Sequence, residues 1–254
     1  MKKRKAGIGI FVIILIITAV RVKSMDSHRI SGRILAENIA GPGMLRLVEQ
    51  SMQARIRKAS VAEIAVKERK HLQAALTFDD GPDIRYTPLL LDGLKERNVR
   101  VSFFLLGEKV EQYPELVERM QKEGHLVGNH TYHHVQLNKL NETKAREEIL
   151  KTNNLIYETT GVYPLYLRPP FGAWKKNLEL CVEMLPVFWT IDTLDWKVQN
   201  TEKIVRTVQE QIEDGAIILM HDEYDTSVEA ALQVVDELKN QGYELVTVDQ
   251  LILP

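Results

Sequence analysis

The chain has a single cysteine, Cys181, so no internal disulfide can staple it. No local signature marks that thiol as a nucleophile, and it reads as a buried core residue. Internal repeats and low-complexity tracts are absent, which argues against a solenoid or a long disordered array. Positive charge is scarce where a nucleic-acid partner would need it. Residues 71–254 hold 18 basic against 30 acidic residues, a balance of −12. Such a domain repels phosphate backbones, so nucleic acid is not expected as a partner. The first 23 residues lack acids altogether, and residues 6–20, "AGIGIFVIILIITAV", lack any charge.

That apolar run lies between "MKKRK" and the pair Arg21 and Lys23. It predicts an N-terminal membrane anchor over residues 1–23, with a cleaved secretory signal as the alternative. In either case the basic end stays inside and the remainder is exported. Residues 24–70 carry a balance of +4, suited to a place beside an anionic membrane or wall surface. After the break at Gly41-Pro42-Gly43, Leu45, Val48, Met52 and Ile56 recur at helical spacing. This segment reads as a helical stalk, or as a helix lying on the membrane.

From about residue 71 the pattern alternates. Short Val/Ile/Leu/Phe-rich runs near 73–78, 101–106, 125–129, 165–168, 186–191, 216–220 and 244–248 read as buried parallel strands. Helical stretches lie between them, at about 87–97, 109–123, 142–160, 175–184, 200–213 and 227–241. Seven strands with interleaved helices predict an α/β fold, an open parallel sheet or a barrel one unit short of eight, over 71–254.

The reactive residues gather at one end of these strands. Asp79 and Asp80 close the first, "NHTYHH" (129–134) the third and "RPPFG" (168–172) the fourth. "DTLDW" (192–196) closes the fifth and His221 the sixth. Turn residues scattered without function would use both ends. In barrels of this kind the C-terminal ends of the strands carry the chemistry.

His130 and His134, four residues apart, would share one face of a helical turn and grip one metal ion. Asp79 or Asp80 supplies a third ligand, and the other carboxylate serves as a base; the cation offsets their mutual repulsion. Arg168, ahead of a stiff Pro-Pro, orients a carboxylate. Asp195 or Asp192 would hold His221 protonated. Trp196 would either offer a flat apolar face to a sugar ring or pack in the core. His133 adjoins a ligand without a role of its own, and none is assigned to His28, His71 or His125. Together these parts describe metal-assisted hydrolysis and leave the bond that is broken unspecified.

"TFDDGP" (77–82), "HTYHH" (130–134), "RPPFG" (168–172), "DTLDW" (192–196) and "LMH" (219–221) stand in the order of the five motifs of the polysaccharide deacetylase family. The chain therefore resembles that family, which is carbohydrate esterase family 4, built on the NodB-homology domain. The resemblance covers about 71–254 and implies a distorted (β/α)7 barrel. It implies Asp79 as catalytic base, and Asp80, His130 and His134 as ligands of a divalent metal, usually zinc, with cobalt or manganese as alternatives. Arg168 would hold Asp79, and the backbone N–H of Phe171 would stabilise the oxyanion. Asp195 would tune His221 as general acid, and Trp196 and Leu219 would line the pocket for the acetyl methyl. The implied reaction removes acetyl groups from an N-acetylated sugar polymer. An exported bacterial member of this build points to peptidoglycan N-acetylglucosamine, with chitin oligomers or acetyl xylan as alternatives. A remote alternative is a wall-binding protein without catalysis. The oligomeric state is left open.

Overall fold

A computed structural model describes residues 72–174 and 184–252. The expected anchor, the stalk, Cys181 and most of the helical stretch 175–184 lie outside the described residues. Among the described residues no helix is long and apolar enough to cross a membrane.

The strands are β1 (Leu72–Asp79), β2 (Ser102–Leu105), β3 (Leu126–Asn129), β4 (Tyr166–Leu167), β5 (Leu185–Pro186), β6 (Ile191–Asp192), β7 (Ala216–His221) and β8 (Tyr243–Leu245). All are parallel, in the order β5-β4-β3-β2-β1-β7-β6. β8 pairs with the first residues of β1, Leu72 to Ala74, and β2 pairs further along, at Thr77 to Asp79.

The expected strand over 186–191 is divided. Val187 N–H bonds the Leu167 carbonyl on one edge of the sheet, and Thr190 N–H bonds the Ile217 carbonyl near the other. Four residues, 187–190, thus join the two ends of the path. So short a chain spans at most about 17 Å from Pro186 to Ile191, so the sheet must curl until its edges nearly meet. The result is the curled, incompletely closed α/β barrel that the sequence predicts, with one strand split across the gap.

The helices are α1 (Tyr86–Glu96), α2 (Gly107–Gln112), α3 (Pro114–Lys122), α4 (Glu142–Thr160), α5 (Asp195–Val198), α6 (Thr201–Gln211), α7 (Asp225–Asn240) and α8 (Val248–Ile252). The helical stretch expected at 109–123 is two helices, because Pro114 has no N–H to continue the first and starts the second. α4 begins where the Asn141 side chain accepts from Lys144 N–H and ends at Gly161, whose left-handed φ of 72° a side chain would strain.

Strand alternation sorts the core. Ala74, Leu76 and Phe78 of β1, with Ala216, Ile218 and Met220 of β7, face outward onto Leu90, Leu91 and Leu94 of α1 and Val234, Val235 and Leu238 of α7. Each fully buried Leu or Phe contributes about 1.5–3 kcal/mol. The alternate residues face the barrel interior, where Ala75 packs with Phe104, Tyr166 and Val187. Thr77 and Asp79 continue that inward row.

Candidate active site

Asp79 is the last inward residue of β1, in register with Phe104 of β2 and His221 of β7. In a continued strand Asp80 would point to the opposite face. The strand stops instead, and Asp80 takes a left-handed φ of 69°. That turn brings both carboxylates within reach of His130, whose Nε2 lies 3.7 Å from Asp79 Oδ2 and 3.4 Å from Asp80 Oδ1. Adjacent aspartates thus serve one cleft because the backbone reverses hand between them.

Small inward residues beneath Asp79 leave room for a large one. Arg168 follows β4 and is 0% exposed, not the surface ion pair that an isolated arginine would form. Its Nη1 donates to Asp79 Oδ1 at 2.8 Å and to Thr77 Oγ1 at 2.7 Å. Its guanidinium lies over the Phe104 ring, 4.2 Å from the centroid. Burial pushes the Asp79 carboxyl above its ordinary range, and Arg168 and His221 offset this only in part.

His130 and His134 converge, but not on a helical turn as their spacing suggests. Thr131 and His134 both have left-handed φ, 67° and 52°. The loop folds back so that the two rings stand 5.0 Å apart. His130 Nδ1 donates to the Arg168 carbonyl at 2.7 Å, which leaves the Nε2 lone pair facing the cleft. Burial holds this imidazole neutral, its pKa lowered to about 3. His134 Nε2 lies 3.4 Å from Asp80 Oδ1.

Asp80, His130 and His134 are the group among the described residues with three donor atoms clustered for a metal, all within 4.8 Å of one another. Asp80 Oδ1 is buried with no hydrogen-bond partner, which is costly unless a cation completes it. Donors held about 2.1 Å from one tetrahedral ion stand about 3.4 Å apart, matching both Asp80–His separations. The donor set of two imidazoles and one carboxylate fits zinc and leaves room for water and substrate.

His221 closes the opposite wall. Of the two candidate partners it pairs with Asp195; Asp192 instead accepts from Leu194 N–H. Asp195 is fully buried and accepts from His221 N–H at 2.7 Å and from Nδ1 at 2.8 Å. Burial alone would lower the imidazole pKa, but the Asp195 bond and charge, with Asp79 and Asp80, raise it to about 9. The protonated ring therefore contributes stability that is complete below its ordinary 6.5 and lost as pH rises through about 9. A shift of this size corresponds to about 3 kcal/mol. Chelator-treated protein should melt progressively lower across that window, and Asp195→Asn should flatten the slope. Equal slopes in thermal melts from pH 6 to 10 would remove Asp195 as the source of the shift.

Phe171 has a left-handed φ of 59°, and its ring lies 4.5 Å from that of His134, 61% exposed. Trp196 is the second residue of the short α5 and is 50% exposed, not packed in the core. Leu219 is buried in β7, in register with Thr77 and two residues before His221 on the same face. Of seven non-glycine residues with positive φ among those described, Asp80, Thr131, His134, Phe171 and Leu194 belong to site segments. Each such conformation costs on the order of 1–3 kcal/mol, and strain of this kind collects at functional sites.

Several contributors carry no signal in the sequence. Asp222 is buried behind the Asp-Gly-Pro turn, bonded by Thr87 Oγ1, with its pKa raised to about 7 chiefly by burial. Its carboxylate lies so close to Gly81 that an added Cβ would meet it at 2.5 Å, so the glycine of "TFDDGP" is required by space. Lys109 pairs with Glu223. His125, assigned no role, is a buried acceptor for Val101 N–H and is kept neutral by burial. His133 pairs with Glu148 on α4.

Residues 67–187 match the family model described as polysaccharide deacetylase. The chain is 42% identical over 185 residues to the peptidoglycan-N-acetylglucosamine deacetylase PgdA of Listeria monocytogenes, covering 73% of this chain and 40% of that one. It is 40% identical over 186 residues to a peptidoglycan-N-acetylglucosamine deacetylase of Bacillus cereus, covering 70% and 68%. The solved structure of the peptidoglycan deacetylase PdaC of Bacillus subtilis superposes with a TM-score of 0.70 at 42% identity, over 72% of this chain and 91% of that one. PdaC is named a peptidoglycan-N-acetylmuramic acid deacetylase. The chain thus spans about two fifths of the length of the Listeria relative.

Proposed function

Because the chain belongs to the polysaccharide deacetylase family, we propose that it hydrolyses N-acetyl groups of a cell-wall polysaccharide, with peptidoglycan N-acetylglucosamine as its substrate. The observation that carries this reading is the register of β1 and β7. It sets Asp79, buttressed by Arg168, beside His221, held by Asp195, with the Asp80, His130 and His134 donors in the same cleft.

Each residue then has a defined task. Asp80, His130 and His134 hold a divalent ion, zinc by the character of the donor set. When bound, that ion supplies Lewis acidity, polarising the acetyl carbonyl and acidifying water. Asp79, made a stronger base by burial, takes the proton of the attacking water. Arg168 fixes the Asp79 carboxylate and leaves its second oxygen toward the cleft. The N–H of Phe171 donates to the oxygen on which negative charge develops. His221 enters protonated and gives its Nε2 proton to the departing nitrogen as the C–N bond breaks. Acetate and a free sugar amine leave. Leu219 and Trp196 offer apolar surface to the methyl group and the sugar ring. Residues 6–20 would anchor the enzyme in a bacterial membrane, with the catalytic domain outside the cell.

The test is acetate release by the full-length protein from peptidoglycan, from chitin oligomers and from acetyl xylan, with chelator and then with zinc restored. Acetate that disappears with chelator and returns with zinc is expected, with peptidoglycan the best substrate. The B. subtilis relative's name favours a second reading on the same polymer. Mass spectrometry of digested product decides it, by showing whether the free amine lies on glucosamine or on muramic acid. Zinc-loaded protein that releases no acetate from any of the three would overturn the proposal in favour of a binding role.

A further inference from the structure

The carbonyls of the loop that carries the two histidines are held by backbone, since Gly107 N–H and Glu108 N–H at the start of α2 donate to the Thr131 and Tyr132 carbonyls at 2.9 and 3.3 Å; its N–H groups are held by side chains. Thr131 N–H donates to the Asn129 side chain at 2.7 Å, and Val135 N–H to Thr131 Oγ1 at 3.2 Å. Between them, Tyr132 N–H and His133 N–H both donate to Glu148 Oε2, at 3.1 and 2.9 Å. The other oxygen of the same carboxylate, Oε1, meets His133 Nδ1 at 2.8 Å. Glu148 lies in the second turn of α4, and its side chain is largely shielded from solvent. The helix also holds Asn129 at the start of the loop, whose Nδ2 donates to the Ile149 carbonyl and to Asn153 Oδ1.

We infer that Glu148 is a positioning residue for the metal centre. It fixes the peptides between His130 and His134 and so aims His134 Nε2 at Asp80. The argument rests on the proposed metal site and on three facts about the loop. First, it contains two left-handed residues, Thr131 and His134, and Thr131 is β-branched, so the conformation is unfavourable without outside support. Second, adjacent peptide N–H groups converge on one carboxylate, and an ionised acceptor holds them more firmly than a carbonyl would. Third, His133, which sequence alone leaves idle, ties the loop to the same carboxylate from its outer side. The Glu148 carboxylate bonds Tyr132 and His133 and none of Asp80, His130 or His134. Its effect passes through the orientation of His134, as outer-shell partners act on metal ligands.

The test is zinc affinity of the full-length protein, measured by competition with a chromophoric chelator, for wild type, Glu148→Ala and Glu148→Gln. Glu148→Ala should bind zinc about 10–100-fold more weakly, with far-UV circular dichroism and zinc-free melting temperature close to wild type. Glu148→Gln keeps an oxygen for the two N–H groups and should recover much of the affinity. Acetate release by the alanine variant should fall at limiting zinc and return at saturating zinc. An alanine variant that binds zinc within twofold of wild type would overturn the inference. So would equal loss in both variants accompanied by a lower zinc-free melting temperature, because Glu148 would then be a folding residue. Wild-type protein that binds no zinc would instead overturn the metal-site reading itself, and the role of Glu148 with it.

Discussion

Asp79→Asn is expected to lower the turnover of acetate release by about 10²–10⁴-fold, the range that a positioned general base supplies, while zinc binding stays near wild type. The two adjacent aspartates have separate surroundings. Asp79 is buried against Arg168 and Thr77 and faces the interior row of β1. Asp80 stands at equal distance from the two imidazoles, with its Oδ1 otherwise unpartnered. Asparagine at 79 keeps an oxygen to accept from Arg168, so the side chain's place is preserved while its capacity to take a proton is lost. Neutralising one member of a buried pair also leaves Arg168 uncompensated, and removal of a buried partner typically costs about 3–5 kcal/mol. The retained hydrogen bond should reduce that cost. Zinc content and circular dichroism must therefore be measured on the same preparation as turnover. A folded, zinc-replete variant that keeps most of its activity would end the assignment of Asp79 as base.

His130→Ala should lose metal and activity together. His130 is buried, is held in the required tautomer by the Arg168 carbonyl, and is kept neutral by its surroundings. Loss of an outer-shell partner weakens metal binding by about 10–100-fold, and loss of a direct donor should exceed the upper end of that range. The same substitution opens space beside Arg168 and removes the partner of its carbonyl, so Asp79 would be held less well too. Excess zinc should therefore restore little of the activity, in contrast to Glu148→Ala, which leaves all three proposed donors in place. Zinc per chain, measured by atomic emission after desalting, checks the first claim. A near-normal content would refute His130 as a ligand.

Much of this site is legible in the chain because its parts are local. Strand periodicity places Asp79, His130, Arg168, Asp192 and His221 at or just beyond the C-terminal ends of apolar runs. Parallel strands then bring those ends to one rim. The expected α4 at 142–160 agrees with Glu142–Thr160 because a capping asparagine and a terminal glycine mark its limits. Where local signals compete, the sequence misleads. His130 and His134 have the spacing of a helical turn, yet they converge through left-handed residues, because packing of the loop against α4 outweighs spacing. The run 186–191 has the composition of a single strand. It divides because one end must bond β4 and the other β7 across the gap of a curled sheet.

The sequence by itself determined the alternation of strands and helices, the end of the strands at which chemistry collects, and the residue types available there. These follow from periodicity and turn chemistry within a few residues. Only the tertiary structure decided which aspartate serves His221, that Arg168 is buried under Asp79, that Asp80 swings back beside it, and that Glu148 grips the histidine loop. Each of those outcomes depends on groups 15 to 91 residues apart, or on a reversal of backbone hand. Spacing along a chain does not encode such contacts. They form when the sheet curls and excludes water from the polar groups inside it.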